Sequence, residues 1–298
     1  MNIVITGGSG FLGKRLGVSL LQDGHQVMNF DLRPCDVMPT KIIDVRNKDQ
    51  LSGEFSEVDV VFHLASLIEA GESVKHPYAF CETNIIGSLN VLEAMREQGA
   101  KKFIFSSSAA VYGEPIRTPV QEDDRTLPVS PYGVTKLAME GLVSSYAYSH
   151  GMTGVALRYF NLYGPGEDHE PESHAIPRFY DQLMNNKEIT IWGDGLHQRD
   201  YVFIDDIVEA HTLAMKLEGG FHYMNLSTQQ SATTLEVLEI LEEILGVTGN
   251  KKFFPPRPGD PKVLYASAEK AKKELGWEAR TNLKDGLQQT VEWLRSRG

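Results

Sequence analysis

Two side chains set one helical turn apart suggest a specific chemistry. Tyr132 and Lys136 stand at i and i+4, so on a helix both project from one face. A phenol with an ordinary pKa of about 10 is a poor base at neutral pH, and a neighbouring ammonium, with the positive ring of an oxidised nicotinamide, would bring it toward the working range. Such a pair can deprotonate an alcohol while its carbon loses hydride. Alone, the spacing is common and carries little weight. Ser106, Ser107 and Ser108 follow the apolar run 103–105, which puts hydroxyls at the carboxyl end of a strand, where ligands bind in open α/β sheets. One of them could orient the reacting hydroxyl, although a serine cluster there is usually only a turn.

A hydride acceptor must be held beside these groups. Gly7, Gly10 and Gly13 come directly after the apolar run 2–6 and open a stretch in which Phe11, Leu12, Leu16, Leu20 and Leu21 recur at helical spacing. Glycine there permits the tight turn, the approach to a pyrophosphate and close helix packing, and the helix N-terminus supplies the positive pole. Asp31 ends the next apolar run, where a carboxylate can accept from both ribose hydroxyls and repels a 2′-phosphate, favouring NAD over NADP. Arg33 reads better as a solvated loop charge than as a partial phosphate partner. Asp44, after Ile42 and Ile43, fits an acceptor for the adenine amino group and a strand-end surface carboxylate equally well.

The elements that must position these residues are legible. Ser130 as N-cap and Pro131 at the first helical position start the helix of Tyr132 and Lys136. Apolar runs at 27–31, 58–64, 102–106 and 155–159 alternate with helical patterns such as Ile85, Leu89, Leu92 and Met95. This predicts an α/β fold, a Rossmann-type doubly wound parallel sheet with a smaller, loop-rich α/β substrate lobe. Residues 1–163 form the NAD-binding part, to which 196–220 return, and 164–195 with 221–298 form the lobe. Its helices are read from Thr234 as a cap through Leu245, over 267–275 and over 283–294. The 298 residues are 41% hydrophobic and 23% charged, an ordinary globular balance, and the net charge of −11 argues against nucleic-acid binding. Cys35 and Cys81 have neither disulfide-framework nor zinc spacing, and no metal is expected. No run of 18 apolar residues suggests a membrane span, no basic cleavable leader is seen, and a cytoplasmic protein is expected.

Taken together the motifs resemble the extended short-chain dehydrogenase/reductase family, in particular its NAD-dependent epimerase/dehydratase group and the UDP-glucose 4-epimerases. The resemblance is carried by Thr6-Gly7-Gly8-Ser9-Gly10-Phe11-Leu12-Gly13, His63-Leu64-Ala65-Ser66, Asn84-Ile85-Ile86-Gly87, Ser106 through Gly113, Tyr132 with Lys136, and Arg158-Tyr159-Phe160-Asn161. Arg199-Asp200-Tyr201-Val202 and Arg257-Pro258-Gly259-Asp260 extend it into the lobe. It implies Ser108 as hydroxyl partner, Tyr132 as acid/base and Lys136 as the nicotinamide-ribose ligand, with Ser106 and Ser107 in supporting positions. Phe11, Leu12, Val45, Leu64 and Ala65 would line the cofactor, and Asn84, the family's structural asparagine, is placed with that set. Asn161, Arg199 and Arg257 would bind the substrate diphosphate. Trp192 would lie against the base or simply pack, and Asp260 would accept from the ribose or cap a turn.

The implied reaction inverts C4 of a nucleotide sugar, UDP-glucose and UDP-galactose first, through a 4-keto intermediate. Epimerases of UDP-uronic or N-acetylamino sugars and of GDP-, CDP- or dTDP-sugars stay open. A 4,6-dehydratase is disfavoured because Ala109 and Ala110 stand where such relatives carry an Asp-Glu pair. A short-chain threonine dehydrogenase shares the Tyr-Gly-Val-Thr-Lys wording but not the arginine motifs, and a non-catalytic dinucleotide sensor would not need Ser108, Tyr132 and Lys136 together. Two positions depart from the pattern: Ile68 replaces a basic residue near the cofactor phosphates, and Leu264 stands where side-chain size governs N-acetyl tolerance. A homodimer through the helices of 84–95 and 132–148 is expected.

Overall fold

The computed structural model describes residues 1–167, 174–256 and 261–297. Its strands are β1 (Asn2–Thr6), β2 (Gln26–Asp31), β3 (Thr40–Ile42), β4 (Val60–His63), β5 (Lys102–Ser108), β6 (Thr153–Tyr159), β7 (Asn161–Tyr163), β8 (Ile189–Trp192), β9 (Gln198–Arg199), β10 (Tyr201–Phe203), β11 (Gly220–Leu226), β12 (Ala232–Thr233), β13 (Lys251–Phe254) and β14 (Val263–Leu264). The helices are α1 (Phe11–Gln22), α2 (Ala70–Lys75), α3 (Pro77–Phe80), α4 (Gly87–Gln98), α5 (Pro131–His150), α6 (Ala175–Met184), α7 (Ile204–Ala214), α8 (Thr234–Leu245), α9 (Glu269–Leu275) and α10 (Leu283–Arg295). A π-helical stretch, Cys81–Ile86, joins α3 to α4.

Seven parallel strands in the order β11-β6-β5-β4-β1-β2-β3 form the central sheet. Alternate residues of each strand feed two separate cores, as a two-residue period requires. Ile3, Ile5, Val60, Phe62, Ile104, Val155 and Leu157 face one core with Leu12, Leu16 and Leu20 of α1 and Ile207 of α7. Val4, Val61, Phe103, Phe105 and Ala156 face the other with Val91, Leu92 and Met95 of α4 and Met139 and Val143 of α5. Burial on both faces is why these strands read as continuous apolar runs. The chain leaves β1 toward β2 and β3, then returns to the other side of β1 with β4, so the crevice at the strands' carboxyl ends opens between β1 and β4.

The lobe is assembled from small pieces: β8 with β13, β9 between β12 and β14, and the β7–β10 pair. Helices α6, α8 and α10 complete it.

Four expectations shift. The lobe does not resume at 221, because β11 pairs with β6 along its whole length, from Gly220 opposite Thr153 to Leu226 opposite Tyr159. Without it the outer edge of β6 would leave its backbone groups unpaired in a buried setting, and the polar residues His222, Tyr223 and Asn225 hide this strand from a hydrophobicity reading. The cap of α8 is Thr233, one residue before Thr234, since Thr233 and Glu236 satisfy each other's backbone N–H groups in a capping box. Helix α9 begins at Glu269, whose N–H reaches Ser267 Oγ at 3.3 Å. Finally, Ser106, Ser107 and Ser108 belong to β5 and pair with Leu157, Arg158 and Tyr159. Strand alternation therefore sends Ser107 to the side opposite Ser106 and Ser108. No helix of the described residues is long and apolar enough to cross a membrane, and none of their His, Cys, Asp and Glu side chains group as a metal site.

Candidate active site

A cavity of about 1300 Å³ lies along the carboxyl ends of the sheet strands and under the lobe. Gly7, Gly10, Phe11, Leu12, Gly13, Asp31, Asp44, Val45, Leu64 and Ala65 border it from the sheet side, Ser108, Tyr132 and Lys136 from its centre, and Asn161, Trp192 and Arg199 from the lobe. Arg257 and Asp260 lie outside the described residues.

The glycine loop is shaped for close approach. Gly7 has φ 78°, and a Cβ there would lie 2.6 Å from Ala65 N. A Cβ on Gly13 would stand 2.5 Å from the Gly7 carbonyl oxygen, so α1 can start this close to β1 only without side chains. Buried Asn29 locks the loop: its Oδ1 accepts from Gly8 N at 2.8 Å, and its Nδ2 donates to Ser9 Oγ at 2.9 Å and Thr40 Oγ1 at 3.1 Å. Asp31 accepts from Ser9 N at 3.0 Å and Arg33 N at 3.1 Å. Each carboxylate oxygen keeps a further lone pair for a ribose hydroxyl. This cradle fits a dinucleotide pyrophosphate and ribose. Asp44 borders the cavity, yet its oxygens accept from Arg46 at 2.6–3.0 Å, and that guanidinium holds its pKa below the usual value.

The reactive centre is carried by β5 and α5. Ser130 caps α5 by accepting from Gly133 N at 3.1 Å, and Pro131 occupies the first turn. Tyr132 and Lys136 then face Ser106 and Ser108 of β5. Ser108 accepts from Ala110 N at 3.1 Å, and its side chain works to lower the pKa of the Tyr132 phenol. The ammonium of Lys136, buried at 1% exposure, donates to Ser106 O at 2.7 Å and Ser66 Oγ at 3.0 Å, and lies 5.8 Å from the centre of the Tyr132 ring. The electrostatics depart from the sequence expectation. Burial pushes Tyr132 up to about 12, the Ser108 hydrogen bond opposing this and Glu69 adding to it. Burial alone pulls Lys136 down to about 7. Burial disfavours both charges, and the ammonium is aimed at serine oxygens rather than at the phenol oxygen.

Behind this centre, Glu140 continues the Tyr132 and Lys136 stripe of α5. It receives Ser107 Oγ and forms a two-pronged pair with Arg158 of β6, Nε to Oε1 at 2.9 Å and Nη2 to Oε2 at 2.7 Å. Arg158 also donates to Tyr112 Oη at 2.7 Å. His63 bridges Thr6 Oγ1 at 2.8 Å and Ser88 Oγ at 2.9 Å; burial, then Lys136, hold it down to about 3, so it is a neutral brace.

Two expectations are corrected. Asn84 is fully buried and does not border the cavity. Placed by the π-helical turn, its Oδ1 accepts from Leu67 N at 2.8 Å and its Nδ2 donates to Leu67 O at 3.0 Å and Thr135 Oγ1 at 2.9 Å. It ties the loop after β4 to α5 and does not reach the cofactor cradle. Leu264 packs into the core and is not among the side chains that border the cavity. Trp192 borders the cavity while its ring lies 5.3 Å from that of Phe254. Ile68 borders the cavity as an exposed apolar side chain.

Several residues in or behind the cavity wall were not foreseen. Asn29 had one usable signal, a lone amide inside an apolar strand. Ser66, Glu69, Glu167 and His174 stand in or beside loops, where no periodicity marks them. His174 Nδ1 bonds Glu167 Oε1, and its Nε2 lies 3.6 Å from Glu69 Oε1. Burial disfavours its cation, but the hydrogen bond and charge of Glu167, then Glu69, hold its pKa above the usual value.

The chain resembles proteins of known activity over its full length. A curated UDP-glucose 4-epimerase of Halalkalibacterium halodurans is 37% identical over 94% of this chain and 91% of its own. The crystal structure of a UDP-glucose 4-epimerase from Thermotoga maritima with UDP-glucose superposes with a TM-score of 0.95 at 34% identity, covering 100% of this chain and 99% of that one. The structure of MoeE5 in complex with UDP-glucuronic acid and NAD gives a TM-score of 0.92 at 30% identity, covering 100% of both chains. Residues 3–226 match the model of the NAD dependent epimerase/dehydratase family, and the chain belongs to that family.

Proposed function

We propose that the protein interconverts the C4 epimers of a UDP-hexose, UDP-glucose and UDP-galactose, through a transient 4-keto sugar. The observation that carries this reading is the convergence of Ser108, Tyr132 and Lys136 at the middle of one cavity, with the glycine cradle and Asp31 at one end and Asn161, Trp192 and Arg199 at the other. NAD held in the cradle supplies a hydride acceptor and a positive ring charge that opposes the upward shift of Tyr132.

The chain's own groups do the rest. Tyr132 Oη takes the proton from the sugar 4-hydroxyl and later returns one, while Ser108 Oγ orients the same oxygen. In this reading Lys136, anchored to Ser106, binds the nicotinamide ribose, and Arg199 with Asn161 binds the diphosphate, for which a guanidinium is suited. Holding the diphosphate while leaving the sugar free to turn exposes either face of C4 to the hydride. Ala109 and Ala110 follow β5 as a short turn and offer no acid to expel a C6 hydroxyl, which disfavours dehydration.

Incubating NAD-loaded protein with UDP-galactose should yield UDP-glucose, and Tyr132→Phe should abolish the yield. Undiminished turnover by that variant would refute the mechanism. The reading further places the enzyme in the cytoplasm, in keeping with two free cysteines, Cys35 and Cys81. A homodimer through α4 and α5 is supported by the exposed Ile86, Val134 and Tyr148 on or beside these helices.

A further inference from the structure

The proposed reaction leaves open what charge the hexose can carry. We infer that Glu69, Glu167 and His174 form a sugar subsite that admits neutral hexosyl groups and excludes hexuronates; this rests on the nucleotide-sugar reading above. The three side chains are contiguous, His174 lying between Glu167 and Glu69. They border the same cavity as Tyr132 and Ser108, and the Glu69 charge acts on the Tyr132 phenol, so the cluster sits beside the group that handles the sugar hydroxyl.

Charge counting sets the selectivity. Among the described residues of the cluster, two carboxylates face at most one imidazolium, so these three side chains are net negative together in either protonation state of His174. Glu69 and His174, with side chains 37% and 34% exposed, present the contact surface, and Glu167 is buried behind them at 2%. The second oxygen of Glu167, Oε2, has no hydrogen-bond partner among the described residues. Sugar hydroxyls can donate to such acceptors, whereas an ionised sugar carboxylate only accepts and adds a further negative charge.

Two of the cavity's cations are engaged away from this cluster. Lys136 is committed to Ser106 and Ser66, and Arg46 is bound to Asp44 beside the glycine cradle. Arg178, one turn beyond His174 on α6, borders the same cavity with its guanidinium 5.3 Å from the Phe179 ring centre, and the Arg178→Met arm of the test measures what its charge contributes.

The test compares kcat/KM for UDP-glucose and UDP-glucuronic acid on NAD-loaded wild type, Glu69→Gln, Glu167→Gln and Arg178→Met. Wild type should prefer the neutral sugar by about 100-fold or more, roughly 2.7 kcal/mol, and each glutamine variant should narrow that ratio by about tenfold through faster uronate turnover. Glu69 is partly exposed, so its variant does not depend on rebuilding the core. A wild-type ratio within about threefold, a ratio unmoved by both glutamine variants, or uronate turnover that vanishes in Arg178→Met would each overturn the inference. If neither sugar turns over, the proposed reaction fails, and the ratio of Kd values for the two UDP-sugars on the same proteins decides the subsite by the same thresholds.

Discussion

Glu140→Gln tests whether the catalytic helix is held in place by a buried charge pair. In the native chain Glu140 and Arg158 are 6% and 4% exposed and joined by two hydrogen bonds of 2.9 and 2.7 Å. Glutamine keeps the volume but turns an N–H toward one of the guanidinium N–H groups and leaves the cation uncompensated. Removing one partner of such a pair costs about 3–5 kcal/mol, a large share of a total stability of about 5–15 kcal/mol. At roughly 2 °C per kcal/mol for a chain of this size, the midpoint should fall by about 6–10 °C. Activity should fall too, because Glu140 fixes α5 against Ser107 and Arg158 two turns from Tyr132, and misplacement by about 1 Å can cost about 100-fold. Thermal unfolding monitored by circular dichroism, with kcat measured at 25 °C, reads both effects. The double variant Glu140→Gln/Arg158→Met removes the orphaned cation and should recover most of the midpoint. A loss below about 1 kcal/mol in the single variant, or a double variant as unstable as the two singles summed, would refute the reasoning.

Lys136, with an ordinary pKa of 10.5 drawn down to about 7 by burial, binds fewer protons folded than unfolded between those values. Its contribution to stability therefore rises with pH across that window, by up to about 1.4 kcal/mol per pH unit, and is flat below it. Lys136→Met should remove this slope and leave the variant more stable than wild type at pH 7, as melting curves between pH 6 and 9 will show; parallel pH profiles would contradict the assignment. Light scattering should return twice the 33.2 kDa chain mass if the α4 and α5 faces pair, and a monomer at micromolar concentration would reject the homodimer.

What was legible in the sequence is what one element can encode by itself. The run 2–6, Gly7, Gly10 and Gly13, and the leucines of α1 state strand, turn and helix within 22 residues, and Ser130 with Pro131 states where α5 begins. The i, i+4 spacing of Tyr132 and Lys136 states a shared face, but it does not state their charge. That depends on burial by segments far along the chain, which the expectation of a phenol acidified by an ammonium and a nicotinamide ring does not include, and burial pushes Tyr132 up to about 12. The same limit hid β11, whose half-polar pattern makes sense only once β6 is there to pair with it.

The division falls in a functionally meaningful place. Gly7, Gly10, Gly13, Ser108, Tyr132 and Lys136 sit on or beside the central sheet and its helices, so local pattern and position agree. Glu69, Glu167 and His174 reach the cavity from the segment after β4, the segment after β7 and the edge of α6, and they meet through side chains more than a hundred residues apart in sequence, as His174 and Glu69 do. Loop segments carry no periodic signal because their backbone is not repeating. A sheet that positions the proton and hydride chemistry can thus stay readable while the charge of the sugar end changes by single loop substitutions. Sequence motifs alone therefore bound the reaction more tightly than the substrate.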